Sequence, residues 1–467
     1  MRRNVSSFVY LIVWLAGSMG MAADPPNFIV FIADDMGWED CGVYGNPAIR
    51  TPNIDALAAA GLRFDAATLT CSSCSPSRCS ILTGRYPHST GAGELHLPLA
   101  ADRVLLTTPL RQAGYWTAAI GKWHLGDEVM DQFDLIKNSP APQMGTNWVK
   151  TLRGRPKDKP FFLWAAHYDP HRAYQPGAVD PPHDAQQMRV PPYFPDHADV
   201  REDLALYADE VSRFDVHIGM VLQELERQDV ADNTFLLVMS DNGRPFPHCK
   251  TRVNVPGVRT PFIVRYPRNV AAGKATSSVV SSVDIAPTIL ELAGLEPIDS
   301  FQGTSFAPVL ADPSAATRQY AFAEHNWHDY RAFERGVHDD RFCYVRNWLP
   351  NTPATPPADA VRSPTYEVMK QLHQAGKLST QQSDSFQLPR ATEFLFDVQA
   401  DPHCIDNLVD QPEHASVLAA MRTALSDWQT EYDDRFPGED ELTPDGFDRE
   451  SGARIIKGRH PDLVGTK

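Results

Sequence analysis

Four short, uninterrupted apolar runs punctuate the chain: residues 28–33 (FIVFIA), 117–120, 161–166 (FFLWAA) and 235–239 (FLLVM). Runs of this length with no polar alternation predict strands buried on both faces. Each is followed at once by polar residues. The first meets Asp34-Asp35 and the second Gly121-Lys122-Trp123-His124. The third leads to His167, Asp169 and His171, and the fourth to Ser240-Asp241-Asn242-Gly243. Residues 261–266 form a further strand-like stretch. Between the strands the pattern turns helical. Thr51-Pro52 is an N-cap and first-turn pair ahead of Ile54, Leu57 and Ala58. Leu204, Tyr207, Ala208, Val211, Phe214, Ile218, Val221, Leu222 and Leu225 draw one long amphipathic stripe, which reads as core packing. Residues 287–294 predict the last helix of this region.

Strands alternating with helices predict an α/β fold: a mostly parallel sheet flanked by helices, with ligands bound beyond the carboxyl ends of its strands. A connector is expected near residues 308–316. Short strands at 320–323, 342–345 and 394–398, a loop at 350–358 and a helix at 417–428 then predict a smaller C-terminal α+β domain with an antiparallel sheet and one helix. The domain reading is a signal peptide at 1–22, a catalytic domain at 23–315 and a C-terminal subdomain at 316–467. No internal repeat is present.

The leader reading rests on Arg2 and Arg3, an apolar core over residues 8–16, and a small-x-small pattern at Gly20-Met21-Ala22. The apolar core is too short to span a bilayer comfortably. An exported protein, periplasmic or extracellular and free of the membrane after cleavage, is the expectation. The 467 residues are 42% hydrophobic, enough for a sizeable core. A net charge of −16 argues against non-specific nucleic-acid binding but leaves room for a local basic pocket holding an anionic substrate. Seven cysteines leave one unpaired in an oxidising compartment. Cys71, Cys74 and Cys79 crowd together with no second cluster to complete a zinc site.

The polar residues at the strand ends carry a specific chemistry. Asp34, Asp35, Asp241 and Asn242 are oxygen donors and suit a hard cation, Ca²⁺ ahead of Mg²⁺, better than zinc. Taken singly, Asp-Asp and Asp-Asn-Gly are equally well read as caps and turns. Lys122, His124, His171 and Lys250 add cations and proton donors, the surroundings a sulfate or phosphate group needs.

Residues 74–85, Cys-Ser-Pro-Ser-Arg-Cys-Ser-Ile-Leu-Thr-Gly-Arg, complete the pattern C-x-P-S-R-x-x-x-L-T-G-R. With Gly121-Lys122-Trp123-His124-Leu125-Gly126, Asp34-Asp35 and Ser240-Asp241-Asn242-Gly243 in the same order, the chain resembles the formylglycine-dependent sulfatases over nearly its whole mature length. The resemblance implies an alkaline-phosphatase-like sheet and a Ca²⁺ cofactor. It also implies conversion of Cys74 to formylglycine (3-oxoalanine) by a formylglycine-generating enzyme. A hydrated aldehyde has two hydroxyls on one carbon: one attacks sulfur, and deprotonation of the other re-forms the aldehyde and expels sulfate, a release that serine or cysteine lacks.

Position by position, the resemblance implies that Asp34, Asp35, Asp241 and Asn242 bind Ca²⁺ together with modified Cys74. Arg78 would orient the hydrate, Lys122 and Lys250 would hold sulfate oxygens, and His124 would assist deprotonation. His171 would protonate the leaving group, with His167 as its rival. His96 and His328 are candidate substrate contacts, for each of which a surface or structural role is as good a reading. Within the family the chain resembles the N-sulfoglucosamine sulfohydrolase (heparan N-sulfatase) branch, through Asp169-Pro170-His171-Arg172, Ser363-Pro364-Thr365 and residues 240–247. Lys250 departs from that branch, where an arginine stands, and the two cations are not equivalent at an oxyanion. The implied substrate is a sulfated saccharide, N-sulfoglucosamine at a non-reducing end of heparan or heparin fragments. The alternatives are an O-sulfated sugar, a phosphoester or phosphonate of the same superfamily, and a non-catalytic glycan-binding protein with unmodified Cys74.

Overall fold

A computed structural model describes residues 24–463. The expected leader at 1–22 lies outside the described residues. In chain order the strands are β1 (Asn27–Ala33), β2 (Leu62–Phe64), β3 (Ala67–Thr68), β4 (Trp116–Gly121), β5 (Leu135–Lys137), β6 (Phe161–Ala166) and β7 (Thr234–Ser240). They continue with β8 (Ile263–Arg265), β9 (Lys274–Thr276), β10 (Val280–Ser281), β11 (Ala321–His325), β12 (Glu334–His338), β13 (Phe342–Asn347) and β14 (Glu393–Asp397). Eight of them form the main sheet in the order β5-β4-β6-β1-β7-β8-β2-β9. Five neighbours, β5 to β7, pair in parallel, and β8 alone runs against the others.

The apolar runs are strands because both their faces are covered. Phe28, Val30 and Ile32 pack into one core cluster with the helices Cys74–Thr83 and Ile285–Leu292. Ile29, Phe31 and Ala33, pointing the other way, pack into a second cluster with Met144–Gly154 and the 30-residue helix Ala198–Arg227. The stripe from Leu204 to Leu225 is the buried face of that long helix. Each of these large side chains contributes about 2 kcal/mol by leaving water.

The second sheet is antiparallel, β11-β12-β13-β14. Its alternation ties it to the rest of the molecule. Ala323, Cys343, Val345 and Phe396 belong to the same core cluster as β1, whereas Tyr344, Val337 and Leu395 face the helix Ala415–Glu431. The structure adds three elements to those expected from the sequence. The connector at 308–316 includes a short helix, Ala307–Ala311, because Val309 and Leu310 find buried positions. Strand β12, with Arg335 and Glu334 buried in ion pairs, has no apolar run to announce it. The C-terminal region also carries the helix Pro364–Gln374, which packs against the long helix of the large sheet. Among the described residues no helix is long and apolar enough to cross a membrane.

Candidate active site

Because β1, β4, β6 and β7 run parallel and adjacent, their carboxyl ends open on one edge, and the polar residues after each run converge there. The turn after β4 requires glycine: Gly121 has φ +110°, and a Cβ on it would lie 1.7 Å from the Ala166 carbonyl oxygen. Asp35, His96, His124 and Thr251 all take positive φ without being glycine, a conformation their surroundings must hold in place.

Cys74 is the first residue of the helix Cys74–Thr83, so it sits at the positive end of the helix dipole. Its Sγ is 3.7 Å from Asp35 Oδ1. Burial pushes the thiol pKa well above its usual range, with Lys122 and Lys250 opposing and Asp35 and Asp34 adding to the rise. The encoded cysteine is therefore a neutral thiol and a poor nucleophile.

Around it stand three buried carboxylates, each with a buried cation. Lys122 Nζ donates to both Asp34 oxygens at 2.7 and 2.6 Å, and Lys250 Nζ to both Asp35 oxygens at 2.7 Å. Arg78 donates from Nε to Asp241 Oδ2 at 2.8 Å and from Nη1 to the Lys122 carbonyl at 3.1 Å. Burial alone would raise the Asp34 pKa, but Lys122, His171 and Arg78 hold it below the usual carboxylate range. Burial works against the Lys250 ammonium, yet Asp35 keeps its pKa well above the ordinary lysine value.

The residues fit a hard cation. One ligand atom each from Asp34, Cys74 and Asp241 lies within 4.8 Å of the others. Asn242 Oδ1 is buried and accepts no hydrogen bond, while its Nδ2 donates to Asp35 Oδ1 at 2.6 Å. Three carboxylates and an orphaned amide oxygen form an oxygen-rich set of the kind calcium takes.

The histidines divide by position. His124 Nε2 is 2.8 Å from His96 Nδ1, and His124 Nδ1 is buried without a partner. Burial, with Lys122 adding, depresses the His124 pKa well below the usual value, so the ring is neutral. His171 reaches the site edge, with Nε2 3.9 Å from Asp35 Oδ2 and 3.8 Å from Asp359 Oδ2. His167, its rival, turns away: Nε2 meets His217 Nδ1 at 2.9 Å and Nδ1 accepts from the Asp169 amide. His328 is 4% exposed and its Nδ1 is 2.6 Å from Ser73 Oγ, so it touches the residue before Cys74. Asp359 had no signal in the sequence, since an aspartate in an Ala-Asp-Ala tract reads as a solvated loop residue.

The sulfatase family profile matches residues 26–295, and the profile for the C-terminal part of N-sulphoglucosamine sulphohydrolase matches residues 250–352. The chain is 33% identical to human N-sulphoglucosamine sulphohydrolase over 94% of its own length and 96% of the other. It is 28% identical to an ulvan-active sulfatase of Formosa agariphila, covering 88% and 75% of the two chains. A solved structure of a protein bound to its substrate D-glucosamine-2-N,6-O-disulfate shares the fold. The TM-score is 0.68 at 21% identity, covering 89% of this chain and 99% of that one.

Proposed function

Since the chain belongs to the sulfatase family and is a hydrolase of that kind, we propose that it removes sulfate from a sulfated sugar, N-sulfoglucosamine at a non-reducing end of heparan or heparin fragments. One observation carries this reading: the complete signature helix delivers Cys74 into a buried ring of paired carboxylates and cations. The N-sulfo substrate draws on the likeness to the human N-sulphoglucosamine sulphohydrolase along nearly the whole chain.

In this reading Cys74, oxidised to formylglycine by a formylglycine-generating enzyme, supplies one hydroxyl for attack on sulfur and a second for release of sulfate. Asp34, Asp35, Asp241, Asn242 and residue 74 would hold Ca²⁺, which when bound would supply Lewis-acid polarisation of the sulfate. Arg78 orients the nucleophile. Lys122 and Lys250 neutralise charge growing on the sulfate. His124, neutral and backed by His96, accepts the proton of the second hydroxyl. His171 delivers a proton to the departing nitrogen or oxygen, between Asp35 and Asp359. His328 steadies Ser73 beside the nucleophile. The protein works after export, cleared of its leader at 1–22. The division into a catalytic domain at 23–315 and a C-terminal subdomain at 316–467 accords with a site to which both contribute, as Ser73 and His328 do.

The test pairs mass spectrometry of the Cys74 peptide with sulfate release from N-sulfoglucosamine and glucosamine 6-sulfate and phosphate release from glucosamine 6-phosphate. Modified Cys74 and turnover of the N-sulfated sugar are expected. Cys74→Ser should stall as a stable sulfate ester and Cys74→Ala should be inert. Multiple turnovers by Cys74→Ser would overturn the mechanism. Release from the 6-sulfate alone would move the substrate to the O-sulfated class, which the 31% identity to human N-acetylgalactosamine-6-sulfatase keeps as the second reading.

A further inference from the structure

The chain carries a net charge of −16, yet residues 451–460 (SGARIIKGRH) hold three permanent cations and no acid. This segment is tied down on both flanks of Cys74. On one flank His460 is fully buried, with Nε2 2.7 Å from Glu94 Oε2 and its ring 4.7 Å from that of Trp327. Glu94 lies two residues before His96, whose ring bonds His124 and whose amide donates to Ser75 Oγ. On the other flank the Gly446 amide donates to the Asp329 carbonyl at 2.8 Å, next to His328 and its contact with Ser73. Between these anchors the strand-like pairing of Phe447 with Arg454 and the Ile455–Gly446 hydrogen bond close the segment into an arch.

The arch presents Arg454, Lys457 and Arg459 to solvent. Among the described residues none of the three forms a salt bridge. Arg454 is steadied over the Phe447 ring and by the Gly458 carbonyl. The charge of Arg459 reaches the site: after burial it is the leading cause that depresses the His96 pKa to about 3, and Arg454 adds to it. Three exposed cations on a segment anchored beside His96 and Ser73, next to a site fitted for one anion, are placed to meet another.

We propose that the arch of residues 451–460 is a second anion subsite, in which Arg454, Lys457 and Arg459 hold a negative group on the saccharide unit next to the terminal sulfated sugar. The ligand chemistry is an anionic oxygen cluster, either a uronate carboxylate or an O-sulfate. The inference rests on the reading that the Cys74 site takes a terminal sulfated sugar. It makes the enzyme selective for chain ends over free monosaccharide.

The test compares wild type with the triple variant Arg454→Ala/Lys457→Ala/Arg459→Ala on three probes. They are the methyl glycoside of N-sulfoglucosamine, an N-sulfoglucosaminyl-uronate disaccharide, and that disaccharide with a 2-O-sulfate. The variant should lose roughly fivefold to tenfold in kcat/KM on the disaccharides, through KM, and nothing on the methyl glycoside. Loss on both disaccharides assigns the carboxylate, and loss on the O-sulfated one alone assigns the sulfate. Equal values on all probes, or an equal loss on all three, overturns the subsite. If no probe turns over, the substrate reading fails separately. Calorimetric binding of a heparin hexasaccharide then decides: a weakened Kd with lower salt dependence supports the subsite, and an unchanged Kd overturns it.

Discussion

Arg78 and Asp241 form a fully buried ion pair, with Nη2 2.7 Å and Nε 2.8 Å from the same carboxylate oxygen. The pair clamps the helix that begins at Cys74 to the carboxyl end of β7, so the proposed nucleophile and the metal-type donors share one rigid frame. Burial raises the Asp241 pKa, and Arg78 is the main influence against that rise. Removing the guanidinium leaves a buried carboxylate uncompensated. Arg78→Ala should lose about 3–5 kcal/mol of stability, read by urea unfolding. Arg78→Lys should keep the fold and lose turnover, because an ammonium cannot also reach the Lys122 carbonyl.

Lys250 lies on Asp35 at the rim of the same frame. Lys250→Ala should lower kcat/KM by about a hundredfold, the effect of losing one donor to developing charge. Unchanged kcat/KM would remove Lys250 from the site. Lys250→Arg should restore part of the loss, since it returns the cation with a different fork.

The orphaned Asn242 oxygen and the carboxylates beside it predict a bound divalent ion. Purified protein should carry close to one calcium by elemental analysis. Exhaustive chelation should abolish sulfate release, and added Ca²⁺ should restore it. Asp241→Ala should fail to retain the ion. Full activity after chelation would refute the site.

Acid should unfold the protein for a reason outside the site. His217 and His338 are buried, and desolvation lowers both pKa values to about 4, with His167 adding to the effect at His217. Unfolded, both rings take up protons below about 6.5. The unfolded state therefore binds more protons between about pH 6.5 and 4, so stability falls as pH drops through that window. A melting temperature that is flat from pH 7 to 4 would contradict this. His217→Gln should make the decline shallower.

Local pattern determined much of this protein. The runs at 28–33, 161–166 and 235–239 are strands because nothing but burial on both faces suits them. The Asp, Lys, His and Asn residues behind them reach one edge because parallel strands all end there. The signature from Cys74 to Arg85 singled out the proposed nucleophile from the sequence alone. Tertiary structure alone decided the pairings: Lys122 with Asp34, Lys250 with Asp35 and Arg78 with Asp241 join residues 88 to 215 positions apart. Strand β12 and Asp359 were invisible because their burial depends on partners, Asp434 and Arg390 for the strand and His171 for the aspartate, that no periodicity encodes. The arch at 451–460 reads as an ordinary polar tail until His460 finds Glu94. Hydrophobic period is a property of neighbouring residues, whereas an ion pair is a property of how distant segments cross, and only the folded chain settles that crossing.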